Sequence, residues 1–197
     1  MTVEATDENP WDRVKFRAVY EAHYDDIWRY CYRRAGDRAQ AEDLLAETFA
    51  TAWQKVNQIP QENEALPWLY AVAYNHMRNG WRQSKQRQNL AEKLRNEAST
   101  DADPLDPADY AAGGIGLVRE AIFSLSDTDR EVLMLTSWER LSHRQIAEVL
   151  NITENAVSIR AHRAKQKLQK KLAKEMKGSA VERHKDSNRH PLSGGIL

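Results

Sequence analysis

The chain has 197 residues, and its 29 Lys and Arg are balanced by 29 Asp and Glu. This length suits one large or two small domains, and the balanced charge leaves a polyanionic partner undecided until the charges are located along the chain. The single cysteine, Cys31, excludes an intrachain disulfide and a cysteine zinc cluster, and no apolar stretch is long enough to cross a bilayer. We expect a soluble cytoplasmic protein with no membrane insertion, bound metal or cofactor.

The fold class follows from the spacing of apolar residues. They recur every three or four positions, glycine and proline fall between the periodic segments, and no run of alternating β-branched residues is present. The sequence therefore predicts an all-α fold with two small helical domains joined by a flexible acidic linker, the C-terminal one containing a helix-turn-helix. The predicted boundaries are 12–95, 96–116 for the linker, 117–176, and 177–197 for a mobile tail.

Three or four helices are predicted in the first domain. The first has an apolar face within residues 16–31, and Gly36 is placed to end it as a left-handed cap. Asp37 opens the second helix, with Gln40 three positions later as in a capping box. Pro67 suits the first turn of a third long helix.

The linker differs from its flanks in composition. The tract from Ala98 to Ala112 holds four aspartates and no base, among Ala, Ser, Thr and Pro, and cannot bury enough apolar surface to fold alone. A second helical domain is predicted to begin near Leu117, and Ser126 caps its next helix.

A helix-turn-helix is predicted in the second domain. Ser142 with Gln145 forms a capping box for a helix that ends at Leu150. Asn151 can adopt the left-handed conformation in a three-residue turn, and Thr153 then caps a final helix.

This final helix, predicted to reach about Met176, is basic. From Arg140 to Lys177 there are ten Lys or Arg against three acids. Arginine can bind guanine through two hydrogen bonds and lysine can bind phosphate, so the helix suits a major groove. Its candidate DNA-binding residues are Ser158, Arg160, His162, Arg163, Lys165 and Lys167, with Arg163 the first choice for a base contact. A solvated basic helix in an ordinary bundle is the alternative.

The third helix of the first domain carries a tract that mixes bases, amides and an aromatic ring. This composition suits separated DNA strands, because their bases stack on aromatic rings while cations follow the backbone. The candidate residues are Asn75, Arg78, Asn79, Trp81, Arg82 and Lys85. A buried Trp81 beside a solvated cationic face is an equally good interpretation of this tract alone.

The second helix is acidic near its start, where it carries Glu42, Asp43 and Glu47. Stabilisation of the helix dipole is one explanation, and a docking surface for a basic or polar protein is the other. Acidic character makes DNA contact there unfavourable.

Together these segments resemble the extracytoplasmic-function (ECF) sigma factors of bacterial RNA polymerase. The resemblance rests on AEDLLAETFATAW (41–53), PWLYAVAYN (67–75), and residues 125–168 with SHRQIAEVL (142–150). It covers about residues 12–95 and 117–172, in the family's order.

The resemblance implies an alternative sigma factor that is not an enzyme, with core RNA polymerase and promoter DNA as partners. It implies that Glu42, Asp43, Glu47 and Trp53 dock on the clamp coiled coil of the largest polymerase subunit. By resemblance, residues 57–66 hold a flipped base, the tract from Asn75 to Lys85 follows the non-template strand of the minus-10 element, and the final helix reads the minus-35 element. Because both domains expose DNA-binding surface, an anti-sigma factor is expected as a further partner.

A one-component helix-turn-helix regulator is the main alternative, although it would not explain the strand-binding composition. A DNA-processing enzyme lacks support, because the sequence contains no phosphate loop and no metal-spaced cluster of His or Asp. An interaction module without DNA binding is a third possibility, which loss of activity on replacing Arg163 would count against.

Overall fold

The computed structural model describes residues 9–35, 37–94 and 115–187. Side-chain environments are described for these residues except 62, 83–94, 115–117, 119 and 175–187. The described parts are helical and contain no β-strand, which confirms the all-α prediction.

Seven α-helices and two short 3₁₀ helices make up the described chain. The α-helices are α1 (Pro10–Arg34), α2 (Arg38–Gln54), α3 (Ala65–Leu94), α4 (Ile115–Phe123), α5 (Asp127–Ser137), α6 (His143–Leu150) and α7 (Glu154–Ser187). The 3₁₀ helices, Val56–Gln58 and Glu62–Glu64, lie between α2 and α3.

Packing groups these helices into two units. The first contains α1, α2, α3 and α6, and the second contains α4, α5 and α7. Within the first unit, Arg144 of α6 donates a hydrogen bond to the carboxylate of Glu64 at 2.8 Å. The domain boundaries predicted from the sequence stay a prediction, and residues 96–114 of the predicted linker lie outside the described residues.

The core of the first unit forms where α1, α2 and α3 bury their apolar faces. Tyr30 of α1 is fully buried, and its ring centroid lies 5.0 Å from that of Tyr70 in α3. The guanidinium of Arg34 lies 3.7 Å from the centroid of the Tyr30 ring, so this cation is held against an aromatic face. Ile27 of α1 and Leu69 of α3 are also fully buried.

Cys31 is a core residue of α1. Burial raises the pKa of its thiol to about 12, so the side chain is a neutral thiol at physiological pH. This environment agrees with a small side chain that packs as a hydrophobe.

Local capping signals set most helix starts. The carboxylate of Asp37 accepts from the Gln40 backbone at 2.8 Å, and the Ser126 hydroxyl accepts from the Asp129 backbone at 3.4 Å. Ser142 and Gln145 form the reciprocal capping box that the sequence predicted.

Asn151 ends α6 in the left-handed region at φ 51°, so its predicted conformation is also confirmed. The Ile152 amide donates to the Ala147 carbonyl at 3.0 Å and closes the turn before α7.

Helix α4 begins at Ile115, close to the start predicted near Leu117. The predicted end of the last helix was wrong. Helix α7 does not end near Met176 but continues to Ser187, so the segment predicted as a tail begins as helix. Gly178 costs a helix only about 1 kcal/mol relative to alanine, and its neighbours are mostly good helix formers. The predicted cap at Gly36 and residues 188–197 lie outside the described residues.

Candidate nucleic-acid and protein interfaces

One face of α7 is buried against the other helices of the second unit. Val157 and Ala164 are fully buried, and Ala161 is almost fully buried. Ala164 packs in a cluster with Leu125 and Leu133. This packing fixes the rotation of α7 about its own axis and therefore determines which residues face outward.

The opposite face of α7 exposes hydrogen-bonding side chains. His162 and Arg163 are exposed on this face, whereas Ser158 is exposed at its flank, roughly 140° from Arg163 around the helix axis. The ring nitrogen Nε2 of His162 is 2.9 Å from the amide nitrogen of Gln166, one turn further along. Two of the predicted DNA-binding residues, His162 and Arg163, therefore share the outward face.

The predicted residues Arg160 and Lys167 lie at the edge of that face. On a helix of 3.6 residues per turn they are only roughly 20° apart, between the outward face and the buried one. Arg160 donates to one oxygen of Asp129 at 3.0 Å, and Lys167 donates to the other at 3.5 Å. Lys165, the remaining predicted residue of α7, is exposed on the other flank.

Asp129 is a buried carboxylate that links α5 to α7. Its side chain is 8% exposed, whereas those of Arg160 and Lys167 are 39% and 59% exposed. Burial by itself raises the pKa of this carboxyl, but hydrogen bonds with Ser126, Arg160 and Lys167 outweigh burial and hold the pKa below its ordinary value. The two ion pairs of Asp129 therefore stabilise the position of α7 on α5.

The tract on α3 presents a polar surface with an aromatic edge. Its exposed polar residues are Asn75, Arg78, Asn79 and Arg82. Trp81 is 38% exposed, so its ring is at the surface and not in the core. The guanidinium of Arg78 lies 5.8 Å from the centroid of the Tyr74 ring. Lys85 belongs to α3, but its side chain lies outside the described residues.

The acidic residues of α2 are spread over its exposed side. Glu42 accepts from Arg38 at 2.8 Å, one turn earlier on the same helix. Glu47 lies on the side of α2 that faces α3, where its carboxylate is 3.2 Å from Nδ1 of His76. Asp43 is exposed between them. Of these three acidic residues, Glu47 is the one that pairs with a residue of another helix.

Trp53 lies on the side of α2 that faces α1. It is half-buried, and its ring meets Phe16 edge to face with centroids 5.3 Å apart. Tyr20 and Tyr24 continue this aromatic row along α1 and are 38% and 37% exposed. Trp53 and Glu47 thus lie on opposite sides of the acidic surface.

Two family models match the chain in this order. The model described as Sigma-70 region 2 matches residues 19–87, and the model described as Sigma-70, region 4 matches residues 115–168. The ECF RNA polymerase sigma factor SigL of Mycobacterium tuberculosis is 33% identical over 149 residues, covering 75% of this chain and 83% of SigL. The chain belongs to the ECF sigma factors. The resemblance drawn from the sequence is confirmed, and this alternative sigma factor directs promoter-specific initiation of transcription.

Other similar proteins agree with this assignment. RNA polymerase sigma factor YlaC of Bacillus subtilis is 28% identical over 164 residues, which is 82% of this chain and 94% of YlaC. The sigma factor RpoE of Bartonella quintana, solved with the anti-sigma factor NepR, has a similar fold at a TM-score of 0.65. That match has 20% identity and covers 80% of this chain and 96% of RpoE.

Within the described residues, no group of His, Cys, Asp and Glu is placed to hold a metal ion, and no helix is long and apolar enough to span a membrane.

Sequence reasoning missed two residues of the second unit of this sigma factor. Asp129 was seen only as part of the family resemblance, and the cations that it binds are 31 and 38 positions away. No local periodicity could have paired them. Ile159 is 42% exposed in α7, and a helical projection of the sequence would have placed it among the polar residues.

We predict that Asp129→Asn lowers the free energy of unfolding by about 1 to 2 kcal/mol at pH 7, because charged hydrogen bonds are lost while both cations remain partly solvated. The pKa of Asp129 is depressed in the folded state, so its stabilisation is complete above the unfolded value of about 3.9 and is lost as pH falls through the folded value. Urea unfolding followed by circular dichroism at pH 7 and in steps below pH 4 measures this difference.

Asp127→Asn is the matched control, since Asp127 is 77% exposed and pairs with Arg130 on its own helix. We expect this variant to change stability by less than about 1 kcal/mol. A difference between Asp129→Asn and the parent protein that persists unchanged at low pH would contradict the role of the charged pair.

Proposed function

We propose that this sigma factor uses three surfaces at a promoter. The acidic side of α2, with Glu42, Asp43 and Glu47, docks on the clamp coiled coil of the largest polymerase subunit, and Trp53 supports that side through its contact with α1. The α3 tract follows the separated non-template strand of the minus-10 element. The outward face of α7 reads the minus-35 element as duplex DNA.

The observation that carries this proposal is the outward face of α7. A helix that reads a major groove needs exposed donors on one face and a firmly packed opposite face. His162 and Arg163 provide hydrogen-bonding groups on this face and Ser158 provides one at its flank, while Val157 and Ala164 are fully buried on the opposite side. Arg160 and Lys167 fit a different role in this proposal, because they hold Asp129 and add positive charge at the edge of the groove.

The α3 surface supports the second part of the proposal. Trp81 offers a partly exposed ring for base stacking, and Arg78 and Arg82 are exposed near it for the phosphate backbone. Lys85 follows one turn after Trp81 on the same helix and extends the cationic tract. The proposal therefore assigns this face to single-stranded DNA rather than to duplex.

An anti-sigma factor is proposed as a regulatory partner. RpoE of Bartonella quintana was solved with the anti-sigma factor NepR, and CnrH was solved with the cytosolic domain of CnrY at a TM-score of 0.58 to this chain. The exposed DNA-binding faces of α3 and α7 would have to be covered in a resting cell. Purification of the native protein from its own cells always free of a partner would contradict this part.

Run-off transcription with purified core RNA polymerase tests the proposed function. Fragments of the source genome are transcribed with and without the chain, and we expect discrete new transcripts that depend on it. Asp43→Lys should remove these transcripts by reversing charge at the docking surface, whereas Glu21→Lys, a charge reversal at an exposed position of α1, should retain them. Sequence-specific DNA binding without core polymerase and without transcripts would instead indicate a one-component regulator.

A further inference from the structure

Ile159 is an exposed apolar side chain in the middle of the outward face of α7. It is 42% exposed, and in residues 154–174, where the side chains of α7 are described, it is the one large hydrophobic residue in that state. His162 and Arg163 follow it at three and four positions and therefore lie beside it on the helix surface. Asn155, four positions earlier, is also exposed. Polar side chains thus surround Ile159.

Neither helix formation nor packing explains an isoleucine there. A β-branched side chain has a lower helix propensity than the Lys, Arg and Gln residues that occupy other exposed positions of α7. The buried face is already formed by Val157, Ala161 and Ala164. An apolar partner that approaches from outside would give Ile159 a contact that the protein itself does not provide.

The major groove contains one apolar group, the C5 methyl group of thymine. Residues 155–163 span about 12 Å of helix axis, the length of three to four base pairs. We propose that Ile159 contacts the methyl group of one thymine in the minus-35 element and thereby determines specificity at that base pair. This inference rests on the proposed role of α7.

The residues beside Ile159 are suited to other groups on the DNA. Arg163 can donate to the edge of a guanine, whereas a thymine methyl offers no hydrogen bond and needs an apolar contact. His162 is engaged with Gln166 at 2.9 Å, along the same outward face. Ile159 therefore adds recognition of a methyl group to a face that otherwise recognises acceptors.

Removal of single methyl groups from the DNA tests the inference. The full chain, bound to core polymerase, is titrated with a promoter found by run-off transcription, in which each minus-35 thymine of either strand is replaced in turn by deoxyuridine. At one thymine we expect the affinity of the parent holoenzyme to fall about fourfold, as for the loss of one buried methyl group. Ile159→Ala should bind thymine and deoxyuridine equally at that position.

Two variants control this result. Ile159→Val keeps a branched side chain and should keep part of the methyl dependence. Lys165→Ala, at an exposed flank position, should weaken binding to every template and leave the methyl dependence intact.

Three outcomes would overturn the inference. Site-specific minus-35 binding that ignores every methyl group would do so while leaving the proposed function in place. Equal methyl dependence in the parent and Ile159→Ala would place the contact on another residue. If the parent holoenzyme shows no sequence-specific binding to the minus-35 element, both the inference and the proposed role of α7 are rejected.

Discussion

Arg163→Ala is expected to weaken promoter binding by about 1 to 3 kcal/mol and to relax base preference at one minus-35 position. The expectation follows from the position of Arg163 on the exposed face of α7, next to Ile159 along the helix. Arg160, by contrast, already donates to the buried carboxylate of Asp129 at 3.0 Å. Arg163 is therefore the better placed of the two arginines to bind a guanine edge through two hydrogen bonds.

The measurement compares holoenzyme affinity for the natural promoter with its affinity for each single base-pair change in the minus-35 element. For the parent protein, one guanine should be strongly preferred, and Arg163→Ala should bind all four base pairs there with similar affinity. Lys165→Ala serves as the control for a phosphate contact. Its affinity should fall equally for every sequence, and the slope of log affinity against log salt concentration should decrease in magnitude by about one. If Arg163→Ala likewise loses affinity equally for every sequence, Arg163 contacts phosphate instead of a base.

Features of the fold that depend on a few neighbouring residues could be predicted from the sequence. The caps at Asp37, Ser126 and Ser142 and the left-handed turn at Asn151 each depend on groups within about one turn of helix. Short side chains that compete for backbone groups favour such positions wherever they occur. For this reason the starts of α2, α5 and α6 agreed with the structure.

Features that depend on distant residues or on a small energy difference could not be predicted. The pair between Arg144 and Glu64 joins positions 80 apart, and nothing near either residue indicates the other. The end of α7 depended on whether one glycine stops a helix, and its cost of about 1 kcal/mol is too small to decide that alone. The exposure of Trp81 could not be predicted either, because it depends on how α3 rotates against its neighbours.

Trp81→Ala is expected to make the free energy of promoter opening less favourable by about 1 to 3 kcal/mol, which is the contribution of one base stacked on an aromatic ring. Trp81 is 38% exposed beside the cationic residues of α3, so a base from the melted strand can reach its ring. Permanganate reactivity of thymines in the minus-10 element measures the opened fraction. Trp81→Phe should retain much of the opening, because a smaller aromatic ring still stacks.

A duplex fragment that carries only the minus-35 element separates stacking from folding. If Trp81 stacks on a base, Trp81→Ala should bind that fragment as the parent holoenzyme does, and a template with a pre-melted minus-10 segment should restore part of the lost activity. If the ring instead supports the fold of α3, Trp81→Ala should lose helical signal in circular dichroism and bind core polymerase less tightly. An unchanged opened fraction in a well-folded Trp81→Ala protein would remove Trp81 from the strand-binding surface and leave that role to the cations and amides of α3.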